Sequence, residues 1–278
     1  MTTFLLIVAI PVAIYLLFLL NLYLVQSRHI YNPTAAIATT PDKHGLKFEP
    51  VDFATTDDLM LHGWFVPRPV DNSSKERVVL FFHGNTGNIS DCMSTLTMFH
   101  RLGLATFIFD YRGYGRSQGS PTERGTYDDA EAAWIYLLRD RGIKAEDVIV
   151  LGRSLGAAIA AAQAARHTPG ALVIESTFTS APELAAELFR FVPARLMSRF
   201  KYNVRENIAS VRCPVLVVHS GEDEVIPFHH GKRLYEVAKE PKAFLEINGT
   251  HAEGFYSAGE IYIDGLKHFL DQRFLART

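Results

Sequence analysis

The sequence predicts an α/β protein: a mostly parallel sheet with helices on both faces. Three observations carry this. Short, continuously apolar runs recur along the chain, as strands covered on both faces do. Segments of helical character separate these runs. One run, 148–151, leads straight into Gly152-Arg153-Ser154-Leu155-Gly156, a glycine-flanked serine followed by small helix formers.

The elements follow in order. Residues 4–25 carry no charge, and a helix of that length spans about 33 Å, enough for a hydrocarbon core. Tyr23 suits an interfacial ring at its far edge, and a membrane helix tolerates Pro11. A cleaved signal peptide needs a basic leader and a small-x-small exit. Here the leader is Met1-Thr2-Thr3 and the exit Leu24-Val25-Gln26-Ser27-Arg28. A retained single-pass anchor is therefore expected, with the lipid bilayer as its partner. Arg28 and Lys43 follow the span, which leans the catalytic domain toward the cytoplasmic side.

The expected organisation is an anchor and exit over 1–29, a proline-bearing linker over 30–45 and a catalytic domain over 46–278. Segments 46–56 and 59–66 read as two strands joined at Asp57-Asp58, suited to an antiparallel edge. Strands are then expected at 78–83, 105–110, 148–151, 171–175, 215–219 and 243–247. Helices are expected up to about 102, over 126–139, behind Ser154 and over about 259–274. The rhythm breaks once. Between Glu175 and Val215, two short apolar stretches, 185–191 and 196–200, flank Pro193 and predict a small cap over about 177–210.

The composition, 278 residues with 48% hydrophobic, 21% charged and a net charge of −2, supports a well-filled core and gives no electrostatic reason to expect nucleic acid. Cys92 and Cys213 make neither a disulfide scaffold nor a metal site. No group of residues has convincing metal-ligand spacing, and no cofactor is expected. Asn72, Asn88 and Asn248 match the glycosylation pattern, but two of them fall where active-site loops belong. Gly113-Tyr114-Gly115-Arg116-Ser117-Gln118-Gly119 lacks the Lys-Ser/Thr ending of a phosphate loop, so it reads as a structural loop beside the pocket.

A serine hydroxyl attacks only when a base takes its proton, and the base needs an orienting carboxylate. With Ser154 as nucleophile, the partners are expected on loops after late strands, in the order acid then histidine. Ser220-Gly221-Glu222-Asp223-Glu224 follows one such strand and Asn248-Gly249-Thr250-His251 the next. His251 is the candidate base. Asp223 is the chosen acid, with Glu222 and Glu224 as local alternatives and Glu175 as a distant one. Glu253 reads as a loop or helix-start carboxylate. An oxyanion needs two donors: Leu155, directly after the nucleophile, offers one backbone N–H. The turn Phe82-His83-Gly84-Asn85-Thr86-Gly87-Asn88 offers the other from Asn85, with His83 supporting the loop.

These segments, with Asp110-Tyr111-Arg112-Gly113-Tyr114-Gly115-Arg116-Ser117, Pro121-Thr122-Glu123 and Gly249-Thr250-His251, resemble the α/β-hydrolase superfamily. Within it they resemble the BEM46-like group and membrane-anchored αβ-hydrolase-domain proteins. The resemblance covers about 46–270 and implies nucleophile Ser154, acid Asp223 and base His251. Two departures stand out. His219-Ser220-Gly221 moves a glycine by one place, and Thr250-His251-Ala252-Glu253 replaces a His-Asn-Asp-like ending. Some members of the group resemble thioesterases of lipid-modified proteins. The resemblance therefore implies a carboxylic ester or thioester substrate, small or protein-borne, with a long acyl chain suggested by the anchor. The alternatives are an amidase or peptidase using the same residues, and a membrane-tethered interaction protein without turnover.

Overall fold

A computed structural model describes residues 2–69, 77–252 and 254–274. Its centre is an eight-stranded sheet: β1 (Glu49–Ala54), β2 (Met60–Val66), β3 (Val78–Phe82), β4 (Ala105–Phe109), β5 (Val148–Arg153), β6 (Ala171–Glu175), β7 (Val215–Ser220) and β8 (Lys242–Ile247). The spatial order is β8-β7-β6-β5-β3-β4-β2-β1. Strands β3 to β8 run parallel. Strand β2 pairs antiparallel with both β4 and β1, which makes the antiparallel edge that the sequence predicts.

Burial explains the two strand types. β3, Val-Val-Leu-Phe-Phe, is buried throughout: Val78, Leu80 and Phe82 face one core, and Val79 and Phe81 the other. Edge strand β1 alternates instead, burying Val51 and Phe53 and leaving Asp52 in solvent. Helices α2 (Met93–Arg101) and α9 (Gly259–Phe274) cover one face through Leu96, Phe99, Tyr262 and Leu266. Helices α3 (Glu123–Ile135), α4 (Leu155–Arg166), α7 (Val204–Ser210) and α8 (His229–Val237) cover the other.

Several boundaries differ from expectation for local reasons. Helix α3 begins three residues early because the Thr122 hydroxyl caps it by accepting the Gly125 N–H at 2.9 Å. Its last turn, Tyr136–Asp140, widens to a π-helix. Helix α8 is not foreseen by the sequence. It buries His230 and Leu234, too sparse an apolar stripe to stand out from its polar neighbours. The stretch after β6 folds into α5 (Ala181–Leu188), α6 (Ala194–Met197) and α7.

Helix α1 (Thr2–Ile30) precedes all of this. Among the described residues it contains the one helix segment long and apolar enough to cross a membrane, Val8–Ile30. Its exit is bolted to the domain. Tyr31 is buried and its hydroxyl meets the Tyr202 hydroxyl at 2.6 Å, while Asn32–Pro33 pairs in parallel with Thr86–Gly87.

Asp110, fully buried at the end of β4, gives the fold a predicted pH signature. Burial pushes its carboxyl up to about 7, although the backbone N–H groups of Ile89 and Arg116 oppose the shift. Between its ordinary value near 3.8 and about 7, the folded chain keeps a proton that the unfolded chain releases, so stability falls as pH rises across that window. Asp110→Asn is expected to flatten part of this fall, read as thermal midpoints in detergent from pH 4 to 8. An unchanged slope would contradict the assignment.

Candidate active site

Ser154 stands between β5 and α4 with φ 55° and ψ −120°, a backbone conformation unusual outside glycine. The surroundings hold it there: its N–H donates to the Glu175 carbonyl (2.9 Å) and its carbonyl accepts the Thr177 hydroxyl (2.9 Å). The tight elbow requires glycine on both sides. A Cβ on Gly152 would overlap the Gly156 carbonyl, and one on Gly156 would overlap the carbonyl oxygens of Phe82 and His83.

Loops after β7 and β8 bring the partners in. His251 Nε2 lies 3.1 Å from Ser154 Oγ, and His251 Nδ1 lies 2.8 Å from Asp223 Oδ2. The other Asp223 oxygen accepts the backbone N–H groups of Val225 (3.0 Å) and Ile226 (2.8 Å). Burial alone would raise the Asp223 carboxyl. The hydrogen bonds from His251 and these amides outweigh it and hold the group below its usual range. The carboxylate therefore persists well below neutral pH, can only accept, and fixes the proton of a neutral His251 on Nδ1. That leaves Nε2 free to accept from Ser154.

The three adjacent carboxylates, indistinguishable in sequence, divide their work here. Asp223 meets the imidazole, whereas Glu222 accepts the Gly249 N–H (2.8 Å) and Glu224 accepts the His251 N–H (2.9 Å). The two flanking residues thus pin the histidine loop. Glu175, the distant alternative, is turned away from His251: it pairs with Arg153 (2.9 Å) and accepts the Tyr262 hydroxyl. Glu253 lies outside the described residues, as does Asn72. Asn88 is buried and its amide donates to Thr34 and Ala36, so it is no glycosylation acceptor in the folded chain.

Leu155 is the first residue of α4, where a backbone N–H has no acceptor inside the helix. Gly84 brings the loop after β3 against the elbow, with a Cβ position 4.0 Å from Ser154 Cβ. Three successive carbonyls of that loop are held. The Tyr111 hydroxyl donates to His83 O (2.9 Å), His83 Nδ1 to Gly84 O (2.8 Å) and the Tyr114 hydroxyl to Asn85 O (2.7 Å). Burial pushes His83 down to about 4, so the ring is neutral and its proton sits on Nδ1. In the trans peptide that follows, the Asn85 N–H points away from this ring. Sequence reasoning gives His83 a supporting part but misses Tyr111, Tyr114, Glu222 and Glu224 as positioning residues. The 113–119 loop spends its amides on backbone carbonyls, Gly113 on Gln118 within the loop and Gly115 on Thr34 of the segment after α1, as a structural loop does.

A cavity of about 570 Å³ opens beside Ser154 and His251, within the usual range for small-molecule sites. Leu184, Leu188 and Val192 of the cap segment line one side, Leu22, Gln26 and His29 of α1 the other. His29, at the end of the span, is thus part of the wall.

Among the described residues, one group elsewhere has metal-like composition: Glu187, His229 and His230. His230 Nδ1 lies 3.1 Å from the Thr179 backbone N–H, which can only donate to it. The ring proton therefore sits on Nε2, toward Glu187 at 3.5 Å, leaving no lone pair there for an ion. The group reads as a polar tie between α5 and α8.

The mostly parallel sheet carries a strained serine, a histidine and a carboxylate in hydrogen-bonding sequence, the geometry of a nucleophile elbow. Known proteins to which the chain is similar indicate its family. Residues 73–206 match a family model described as Hydrolase_4, serine aminopeptidase, S33. An uncharacterized protein of Mycobacterium tuberculosis, Rv2307c, is 34% identical over 89% of this chain and 88% of its own. The α/β hydrolase domain-containing protein WAV2 of Arabidopsis thaliana is 29% identical over 89% and 88%. Among solved structures, the Pyrococcus furiosus esterase Pf2001 superposes with a TM-score of 0.72 at 19% identity, covering 88% of this chain and 98% of that one. The chain belongs to the α/β-hydrolase superfamily, and a hydrolase is the class of enzyme that this membership supports.

Proposed function

We propose that the protein is a membrane-anchored serine hydrolase that cleaves carboxylic esters or thioesters through an acyl-Ser154 intermediate. The observation that carries this reading is the continuous relay from Ser154 Oγ through His251 (3.1 Å) to Asp223 (2.8 Å) at the mouth of an apolar cavity. His251 Nε2 takes the hydroxyl proton as Oγ attacks the acyl carbon. The developing oxyanion is met by the Leu155 and Asn85 N–H groups. His251 then returns the proton to the departing alcohol or thiol, and the same base activates the water that frees the acid.

Apolar lining favours an acyl chain over a charged or peptide substrate, and an ester or thioester over an amide, whose poorer leaving group asks more of the site. The anchor reading rests on α1 being a wall of the cavity: removing 1–30 as a signal sequence would open the site on one side.

Two consequences arise directly. Asp223→Asn leaves the geometry nearly intact but offers His251 an amide, and kcat is expected to fall by about 10⁴-fold. His83→Ala frees the Gly84 carbonyl and loosens the Asn85 donor, a loss expected to stay below the roughly 10²–10³-fold of a missing oxyanion donor. Turnover of short soluble esters checks both; a His83 variant weaker than the Asp223 variant would reverse the assignment. The substrate class is tested with matched oxygen esters and thioesters of graded chain length on the detergent-solubilised full chain. A long-chain optimum supports the reading, and turnover confined to peptides would overturn it.

A further inference from the structure

The cap does more than cover the cavity; it climbs the anchor. Gln26 clasps it with both ends of its amide, Nε2 donating to the Met197 carbonyl (2.9 Å) and Oε1 accepting the Arg199 N–H (2.9 Å). Farther along α1, the Tyr15 hydroxyl donates to the Phe191 carbonyl at 2.6 Å. Gln26 and Tyr15 are eleven residues apart on one helix, so the cap follows it for about 16 Å. That is about half of a hydrocarbon core near 30 Å thick.

The side chains at the crest match that depth. Phe191 and Leu196 are 91% and 89% exposed, with Leu188 and Phe189 about half exposed beside them. In water this patch has no partner and costs free energy. From 188 to 201 the chain carries Arg190, Arg195, Arg199 and Lys201 and no acidic residue. Apolar rings flanked by long cationic side chains suit a lipid leaflet, where the stems lie along acyl chains and the charged ends reach the phosphates. The patch meets α1 at Tyr15, and that helix is itself apolar and about half exposed at Leu16, Phe18 and Leu20.

We propose that the cap crest, Phe191 and Leu196, inserts into the leaflet on the catalytic side of the membrane. The cavity between α1 and α5 then receives its acyl substrate sideways from that leaflet. A substrate entering this way is an amphiphile already resident in the bilayer, its chain between Leu22 and Leu188 and its ester or thioester at Ser154. This second half rests on the acyl-serine reading above; the insertion does not.

The test uses the full chain in phosphatidylcholine nanodiscs. Phe191→Trp adds one indole to Trp64 and Trp134, both buried within the domain. Lipids brominated on the acyl chains are expected to quench the added emission about two-fold or more, as a ring among acyl chains requires. Emission typical of water with no quenching would overturn the insertion, as would a crest protected only at high protein concentration, which would mark a second copy. Phe191→Ser with Leu196→Ser is expected to slow hydrolysis of a bilayer-resident long-chain ester about ten-fold, or 1.4 kcal/mol. A short soluble ester and fluorophosphonate labelling should be unchanged. Equal loss on both esters would overturn lateral entry. Failure of the unsubstituted chain to take the fluorophosphonate would instead strike the acyl-serine reading, and the quenching result would stand by itself.

Discussion

Ser154→Ala is expected to abolish turnover, by at least about 10⁴-fold, because the relay then has nothing to activate. The methyl group fits the same elbow, so the variant should fold. The Ser154 backbone bonds to Glu175 and from Thr177 involve no hydroxyl of its own. Loss of activity with an unchanged thermal midpoint is the expected pair of results. A Ser154→Ala protein retaining a tenth of its turnover would show that the chemistry lies elsewhere. The strained φ of 55° adds a second expectation. Ser154→Gly, which relieves it, should be as inactive but more stable than the alanine variant.

The largest effect on folding is expected at Gly156. A Cβ there meets two backbone carbonyls, Phe82 O and His83 O, and neither can rotate aside as a side chain would. Those carbonyls end β3 and begin the loop that holds Asn85, so α4 cannot shift without dragging that loop with it. Gly156→Val is expected to destabilise the chain by more than about 4 kcal/mol, in the range where a core close approach is lost. Expression as aggregated protein, or a midpoint lowered by well over ten degrees, would match this. A well-folded Gly156→Val protein with normal labelling would refute the close approach.

How far the sequence revealed these features follows from their range. Parallel strands declare themselves by unbroken apolar runs, and the elbow at Ser154 by its glycines, so the sheet and the elbow are readable from local pattern. His251 was readable because it ends the loop after the last strand. The choice among Glu222, Asp223 and Glu224 was not, since adjacent carboxylates differ only in the direction the loop gives each one. The tie between α1 and the cap lay beyond local reading altogether. Tyr15 with Phe191 and Gln26 with Met197 are separated by 176 and 171 residues, and no periodicity encodes such a meeting. Helix α8 is hidden for a third reason: a short helix with few apolar positions resembles a polar loop. The positioning tyrosines, Tyr111 and Tyr114, lie within the 110–117 motif, yet what they hold depends on the carbonyls of another loop.

Glu224 tests whether the flanking carboxylates matter. Its bond to the His251 N–H fixes the loop and makes no contact with the reacting atoms. Glu224→Gln keeps an acceptor and should be near neutral, while Glu224→Ala should lower kcat about ten-fold with little change in KM, as a positioning loss does. Equal effects from both variants would point to charge instead of loop geometry.

The central claim is that a covalent acyl-enzyme forms on Ser154, and peptide mass spectrometry tests it most directly. The full chain, held in nanodiscs, is treated with a fluorophosphonate or quenched during turnover of a long-chain thioester, then digested. The account predicts the added mass on the peptide carrying Ser154 and its absence from Ser154→Ala and His251→Ala proteins. Turnover with no adduct on that peptide, or an adduct on another residue, would contradict it.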